Sequence, residues 1–196
     1  DSTTGIFDTD AALFTFNPKE ITVDNEDPGF RIIESNQKNK LQSLFKKESE
    51  DKYKHLNFWM PPSRWTATIG PNYYGDYINS AMYKKSGTGS NKAEWTTQIQ
   101  IPGFYEVFVY TSELPMMGWW RRGGEEKKTQ YYTVKHDDGE EEISVETGRG
   151  RQGWMTLGSF YFSQGEAKIT LSDKGSESNQ IIFADAVKWV YTNNNK

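Results

Sequence analysis

The stretch MMGWWRRGG, Met116 to Gly124, sets two tryptophans beside two arginines: Trp119, Trp120, Arg121 and Arg122. Neighbouring side chains of an extended backbone point to opposite sides, so both rings cannot turn inward from this Gly-flanked loop. An outward indole beside a guanidinium combines a stacking plane with forked hydrogen-bond donors, the equipment for an acidic or hydroxyl-rich sugar. The competing reading has these rings pinning two insertions of the chain together. A second aromatic group, Trp59, Tyr73, Tyr74 and Tyr77, carries the same two readings.

Other patterns offer less chemistry. Only His55 and His136 supply imidazole, and the sequence holds no G-x-S-x-G, H-E-x-x-H or C-x-x-C. Carboxylates are plentiful but show no pairing in their spacing, so a glycosidase or lyase site would have to be assembled from residues distant in sequence. The segment ETGRGRQGW contains a literal G-x-G-x-x-G at Gly148, Gly150 and Gly153. A dinucleotide loop needs a helix after those glycines, because the helix N-terminus holds the pyrophosphate. The next residues are WMTLGSFYFSQG, a strand pattern with a bulge near Gly158, so the glycines are assigned to a wide hairpin loop. Asp24, Asn25, Glu26 and Asp27 bunch oxygen atoms, which makes Asp24 and Asp27 the candidates for a structural calcium. Their spacing lacks the EF-hand pattern; a turn held by Asx hydrogen bonds is preferred, and no cofactor is expected.

These residues must be positioned by strands. In EWTTQIQI, Trp95, Thr97, Ile99 and Ile101 alternate with Glu94, Thr96, Gln98 and Gln100, the period of a half-buried strand. FYEVFVYT is apolar on both faces, with Tyr105, Val107 and Val109 opposite Phe104, Glu106, Phe108 and Tyr110, which predicts a central strand. QYYTVKH, EEEISVET, SFYF, AKITLS and IIFADAVKWVY come after it as further strands, and Asp138-Gly139 is a strong hairpin signal between two of them. Trp95 and Trp154 fall in these strand patterns and read as core. Asp185, between Ala184 and Ala186, reads as a partner for loop amides. The only plausible helix lies in NQKNKLQSLFKKESEDKYKHLNFW, where Leu41, Leu44 and Phe45 share a face.

With 196 residues the chain can bury a sizeable core. A net charge of −4 without a long run of one sign disfavours nucleic acid, and no apolar stretch is long enough to span a bilayer. Zero cysteines exclude disulfides and zinc–thiolate sites. Seven Trp, eleven Tyr and eleven Phe are unusually many; in a β-rich domain most fill the core, and an excess of Trp and Tyr can also supply flat stacking surfaces for sugar rings. The start DSTTGIFDTD, without Met, reads as a mature or trimmed start with any signal peptide already removed.

Six landmarks occur in a familiar order: TVDNEDPGF, YYGDY, AEWTTQIQIPGFYEVFVY, YYTVKHDDGEEEISVE, GWMTLGSFYF and ADAVKWV. Together they resemble the golvesin and xanthan-lyase C-terminal domain, from about Thr22 to Val190. That resemblance implies a galactose-binding-like β-sandwich with a carbohydrate-binding role, appended to secreted bacterial proteins that act on polysaccharide. The chain departs from the family pattern by the segment Gln37 to Met60 and by a longer, more aromatic stretch after Thr111.

The resulting expectation is an all-β, galactose-binding-like jelly-roll β-sandwich, mostly antiparallel, with a short helical insertion at about 37–60. Residues 1–14 are read as a flexible lead-in and 15–196 as a single domain. The expected function is a non-catalytic carbohydrate-binding or accessory module of a secreted, periplasmic or cell-surface protein. Its expected partners are a glycan and a catalytic protein domain. The alternatives are a structural module packed on that catalytic domain, and a polysaccharide lyase or hydrolase.

Overall fold

A computed structural model describes residues 19–35, 52–112, 128–148 and 150–192. The lead-in expected at 1–14 and most of the expected helical insertion lie outside the described residues.

The regular elements among the described residues are all strands, many with the two-residue burial alternation of a half-buried strand. The strands are β1 (Glu20–Val23), β2 (Phe30–Ile33), β3 (Thr66–Ile69), β4 (Ser80–Lys85), β5 (Lys92–Ile99) and β6 (Gly103–Thr111). They continue with β7 (Lys128–His136), β8 (Gly139–Thr147), β9 (Gly153–Phe162), β10 (Gly165–Gly175), β11 (Ile181–Ala184) and β12 (Val187–Thr192). All strand pairs are antiparallel. A four-stranded sheet runs β1-β12-β6-β9, a five-stranded sheet β2-β5-β10-β7-β8, and a three-stranded sheet β11-β4-β3.

The first two sheets enclose one apolar cluster. The four-stranded sheet contributes Ile21, Val107, Val109, Phe160, Val187 and Trp189; the five-stranded sheet answers with Trp95, Ile99, Tyr132, Val134, Ile169 and Leu171. Two inner faces interdigitating in this way define a β-sandwich. A second cluster, Tyr73, Ala81, Tyr83, Ile181 and Phe183, covers the three-stranded sheet.

Among the described residues there is no helix. The described part of the expected insertion is extended, because its amides find partners in other segments. Tyr53 bridges Ala67 in parallel, Lys54 N–H donates to Ala67 O (2.8 Å), and Asn57 N–H donates to Tyr83 Oη (3.2 Å). Leu56 and Phe58 then pack on the second cluster.

Three further expectations change. IIFADAVKWVY is two strands in different sheets, broken at Asp185-Ala186, where the chain steps from the three-stranded to the four-stranded sheet. ETGRGRQGW is no hairpin: β8 pairs with β7 and β9 with β6, so the loop carries the chain from the edge of one sheet to the edge of another. Its glycines 148, 150 and 153 have φ of 130°, 75° and 106°, a region costly for other residues. Glu94, placed by alternation on the polar face, is nonetheless buried, paired with Arg31 and 3.6 Å from Lys168.

The expected bulge near Gly158 has a larger effect. Val107 pairs with Gly158 but Phe108 pairs with Thr156, so Leu157 is the extra residue. One inserted residue inverts strand parity. Phe160 and Phe162 therefore face the core, while Trp154 faces outward, against the expectation that it is core.

Candidate functional site

The bulge builds an aromatic face on the outer side of the four-stranded sheet. On β6 the residues opposite to the core-facing Tyr105, Val107 and Val109 are Phe104, Glu106, Phe108 and Tyr110. On β9, Trp154 lies across from Tyr110, Thr156 from Phe108, Ser159 from Glu106 and Tyr161 from Phe104. Lys188 of β12 flanks Phe108 on its other side, with Thr22 of β1 beyond it.

Tyr74 completes the face from a loop. Its ring centroid lies 5.7 Å from that of Tyr110 and 5.2 Å from that of Trp154, and the latter two are 5.3 Å apart. Edge and tilted contacts of this kind are the arrangements aromatic quadrupoles prefer. The Lys188 ammonium sits 4.6 Å from the Trp154 ring centroid and 5.6 Å from that of Phe108, and 3.4 Å from a Glu20 carboxylate oxygen. Gln152 Nε2 donates to Asn72 O (3.2 Å), tying the loop before Trp154 to the loop that carries Tyr74.

Beneath Tyr74 lies a buried acid. The Asp185 carboxylate accepts the Tyr74 N–H (3.2 Å) and the Ser112 hydroxyl (3.1 Å), and Asp185 O accepts Trp95 Nε1–H (3.0 Å). Burial pushes this carboxyl well above the ordinary range, and the charge of Asp24 adds to the effect. Asp24 is itself pushed up to about 7, chiefly by burial, with Asp27 and Glu26 contributing. A perturbed pair of acids marks a candidate catalytic site only where substrate can reach it. Asp185 is buried and its oxygens are engaged by loop groups, the structural role that its sequence context suggested.

The metal candidates behave as turn formers. Asp24 Oδ1 accepts the Asn25 N–H (2.8 Å), Asp27 Oδ2 accepts the Asp24 N–H (2.8 Å), and Asp27 N–H donates to Asp24 O (3.1 Å). Among the described residues no three His, Cys, Asp or Glu side chains gather into a metal-binding group.

The other sequence candidates disperse. Trp119, Trp120, Arg121 and Arg122 lie outside the described residues. Tyr73 is buried, its ring 5.8 Å from that of Phe183. Tyr77 is 88% exposed and Trp59 81% exposed, and neither has a ring partner among the described residues. Of that second aromatic group, only Tyr74 joins the face. Phe104, Phe108, Tyr110, Trp154, Tyr161 and Lys188 are not among the binding candidates that the sequence offers. The available signal was the second apolar row of FYEVFVYT, which reads equally well as a surface covered by another layer.

The model of the golvesin C-terminal domain family matches residues 54–191, which contain all but the β1 part of this face. The chain belongs to the golvesin C-terminal domain family. Among solved structures, this golvesin-type domain is similar to Paenibacillus xanthan lyase, with a TM-score of 0.61 and 20% identity over 89% of this chain. The alignment spans 13% of the lyase, so this chain corresponds to a small part of that protein. A weaker likeness is to the GH26-CBM35 β-(1,4)-mannanase of Podospora anserina: TM-score 0.47, 10% identity, 92% of this chain and 29% of that one. Comparison with curated proteins finds no match. The fold shared with the lyase is the all-β jelly-roll sandwich, and the golvesin-type assignment agrees with the order of landmarks in the sequence.

Proposed function

We propose that this chain is a non-catalytic glycan-binding module, accessory to polysaccharide-active chemistry at a secreted, periplasmic or cell-surface location. The observation that carries this reading is the outward ring set of Tyr74, Tyr110 and Trp154, assembled from three separate segments and edged by Lys188 and Thr22. Sugar rings present C–H faces to aromatic planes and hydroxyls to the polar groups beside them, and this face offers both partners. Similarity to part of a xanthan lyase is in keeping with a glycan as the ligand. The buried state of Asp185 and the turn-forming role of Asp24 and Asp27 favour binding over catalysis. Trp119, Trp120, Arg121 and Arg122 are proposed as further ligand contacts from their sequence alone, two stacking rings beside two forked donors.

A glycan array tests the reading, with Trp154→Ala as the decisive variant and Trp59→Ala as a control on an exposed ring elsewhere. Binding that is lost in Trp154→Ala and kept in Trp59→Ala is expected. Glycan binding that persists in Trp154→Ala would move the site away from this face.

A second reading rests on Trp59 and Met60, 81% and 76% exposed and adjacent in sequence. Neighbouring exposed apolar side chains of this size suit a contact with a companion catalytic domain. On that reading Trp59→Ala weakens association with the companion and leaves glycan binding intact.

A further inference from the structure

The outer face of the four-stranded sheet carries rings at both ends. Tyr74, Tyr110 and Trp154 form one end; Phe104 and Tyr161 form the other, their centroids 5.4 Å apart in an edge contact. Phe104 and Tyr161 are 43% and 37% exposed, a large apolar area to leave in water on a regular strand pair. Phe104 and Tyr110 stand at opposite ends of β6, separated by about 20 Å of extended backbone. Between the two ends lie Phe108 and the polar side chains Glu106, Thr156 and Ser159.

The charges of this face also restrict its ligand. Among the described outward positions of these four strands, Lys188 is the basic side chain, and it is shared between Glu20 and the rings of Trp154 and Phe108. Glu20 and Glu106 place two carboxylates on the same side of the sheet. Two carboxylates against one engaged ammonium give no positive field to draw in a polyanion, and the whole chain carries a net charge of −4.

We propose that this face takes a neutral, hydroxyl-rich glycan chain laid lengthwise along β6 and β9, with rings at both ends contacting sugar faces and Glu106, Thr156 and Ser159 bonding hydroxyls between them. The inference rests on the glycan-binding reading above and specifies its substrate class and direction. A chain bound in this way gains affinity with length until it reaches both ring clusters, unlike a ligand held only by its end.

Affinity electrophoresis distinguishes the possibilities, using gels that contain neutral galactomannan, mixed-linkage β-glucan or β-1,4-galactan, or anionic xanthan or alginate. The expected result is retardation by at least one neutral polymer, weakened about tenfold by Trp154→Ala and by Tyr161→Ala alike. Trp154→Phe and Tyr161→Phe keep a ring in place and are expected to restore most of the retardation, which separates ring contact from damage to the fold. Oligosaccharides of the retarding polymer should bind more tightly as they lengthen. Retardation by xanthan or alginate as strong as by any neutral polymer would overturn the inference and leave the glycan-binding reading standing. So would neutral binding that ignores Tyr161→Ala. No retardation by any polymer would remove the glycan-binding reading itself, and a dimer that dissociates on Tyr161→Ala would assign the face to a second copy of the chain.

Discussion

The Asp185 carboxylate accepts the backbone N–H of Tyr74 across 111 residues of sequence, at 3.2 Å. It joins the break between β11 and β12 to the loop that brings Tyr74 onto the aromatic face, and Ser112 adds a second bond from the end of β6. The carboxyl is held well above its ordinary range by burial, so an uncharged amide of the same shape is a close substitute.

Asp185→Asn is therefore expected to be tolerated, and Asp185→Ala to cost about 2 kcal/mol, because it leaves the part-buried Tyr74 amide and the buried Ser112 hydroxyl without their acceptor. Urea unfolding measures the cost, and amide hydrogen exchange at Tyr74 shows where it arises. Faster exchange at Tyr74 in Asp185→Ala but not in Asp185→Asn is the expected pattern; equal effects of the two would show that the carboxyl does not hold the loop.

Stability should decline as the solution moves from mild acid to neutrality. Asp24 has a folded value of about 7 against 3.8 for the free side chain, so the folded state binds its proton more tightly. Below about pH 4 both states are protonated and nothing is lost. Between about pH 4 and 7 the unfolded state gives up the proton first, and stability falls as pH rises through that window. Asp185 acts in the same direction. Asp173 and Glu26 act oppositely: burial alone would raise both, but hydrogen bonds from Lys84 and Lys52 respectively hold them low, so their contribution disappears only in acid. The urea midpoint is expected to be higher at about pH 5 than at about pH 8, with Asp24→Asn narrowing the difference. An unchanged difference in Asp24→Asn would show that Asp24 is not its source.

Lys84 and Asp173 form a buried ion pair at 2.5 Å, between β4 and the end of β10. The same carboxylate accepts the Gly89 N–H (2.7 Å) and the Asn91 side-chain amide (2.9 Å), so it also organises the β4–β5 loop. Removing one partner leaves a charge without its counterion in the interior, and Lys84→Met is expected to cost about 3 kcal/mol or more. Chemical denaturation measures this. A cost below about 1 kcal/mol would mean that water reaches Asp173 and the pair behaves as a surface contact.

Much of the architecture is legible along the chain because strand alternation is a local property. Tyr105, Val107 and Val109 are core on period alone, and the outward row Phe104, Glu106, Phe108 and Tyr110 comes from the same period. The hairpin between β7 and β8 is also local, although His136 pairs with Gly139 and the turn residues are Asp137 and Asp138, one position earlier than the Asp138-Gly139 signal. The site was less legible. Trp154 reads as core because the effect of the Leu157 bulge on face depends on which residues of β6 it pairs with. Tyr74 gives no sign of its position, since its neighbours Tyr110, Trp154 and Asp185 are all far away in sequence.

An all-β chain, its family and the parity of most strands are written in the order of residues, because side-chain alternation and turn chemistry act over a few positions. Folding in three dimensions was needed to make ETGRGRQGW cross between sheets and to break IIFADAVKWVY at Asp185. It was needed again to bring the aromatic rings of three segments onto one outward face. Those outcomes depend on which strands pair and which layer covers them, contacts made across tens of residues that no local pattern encodes.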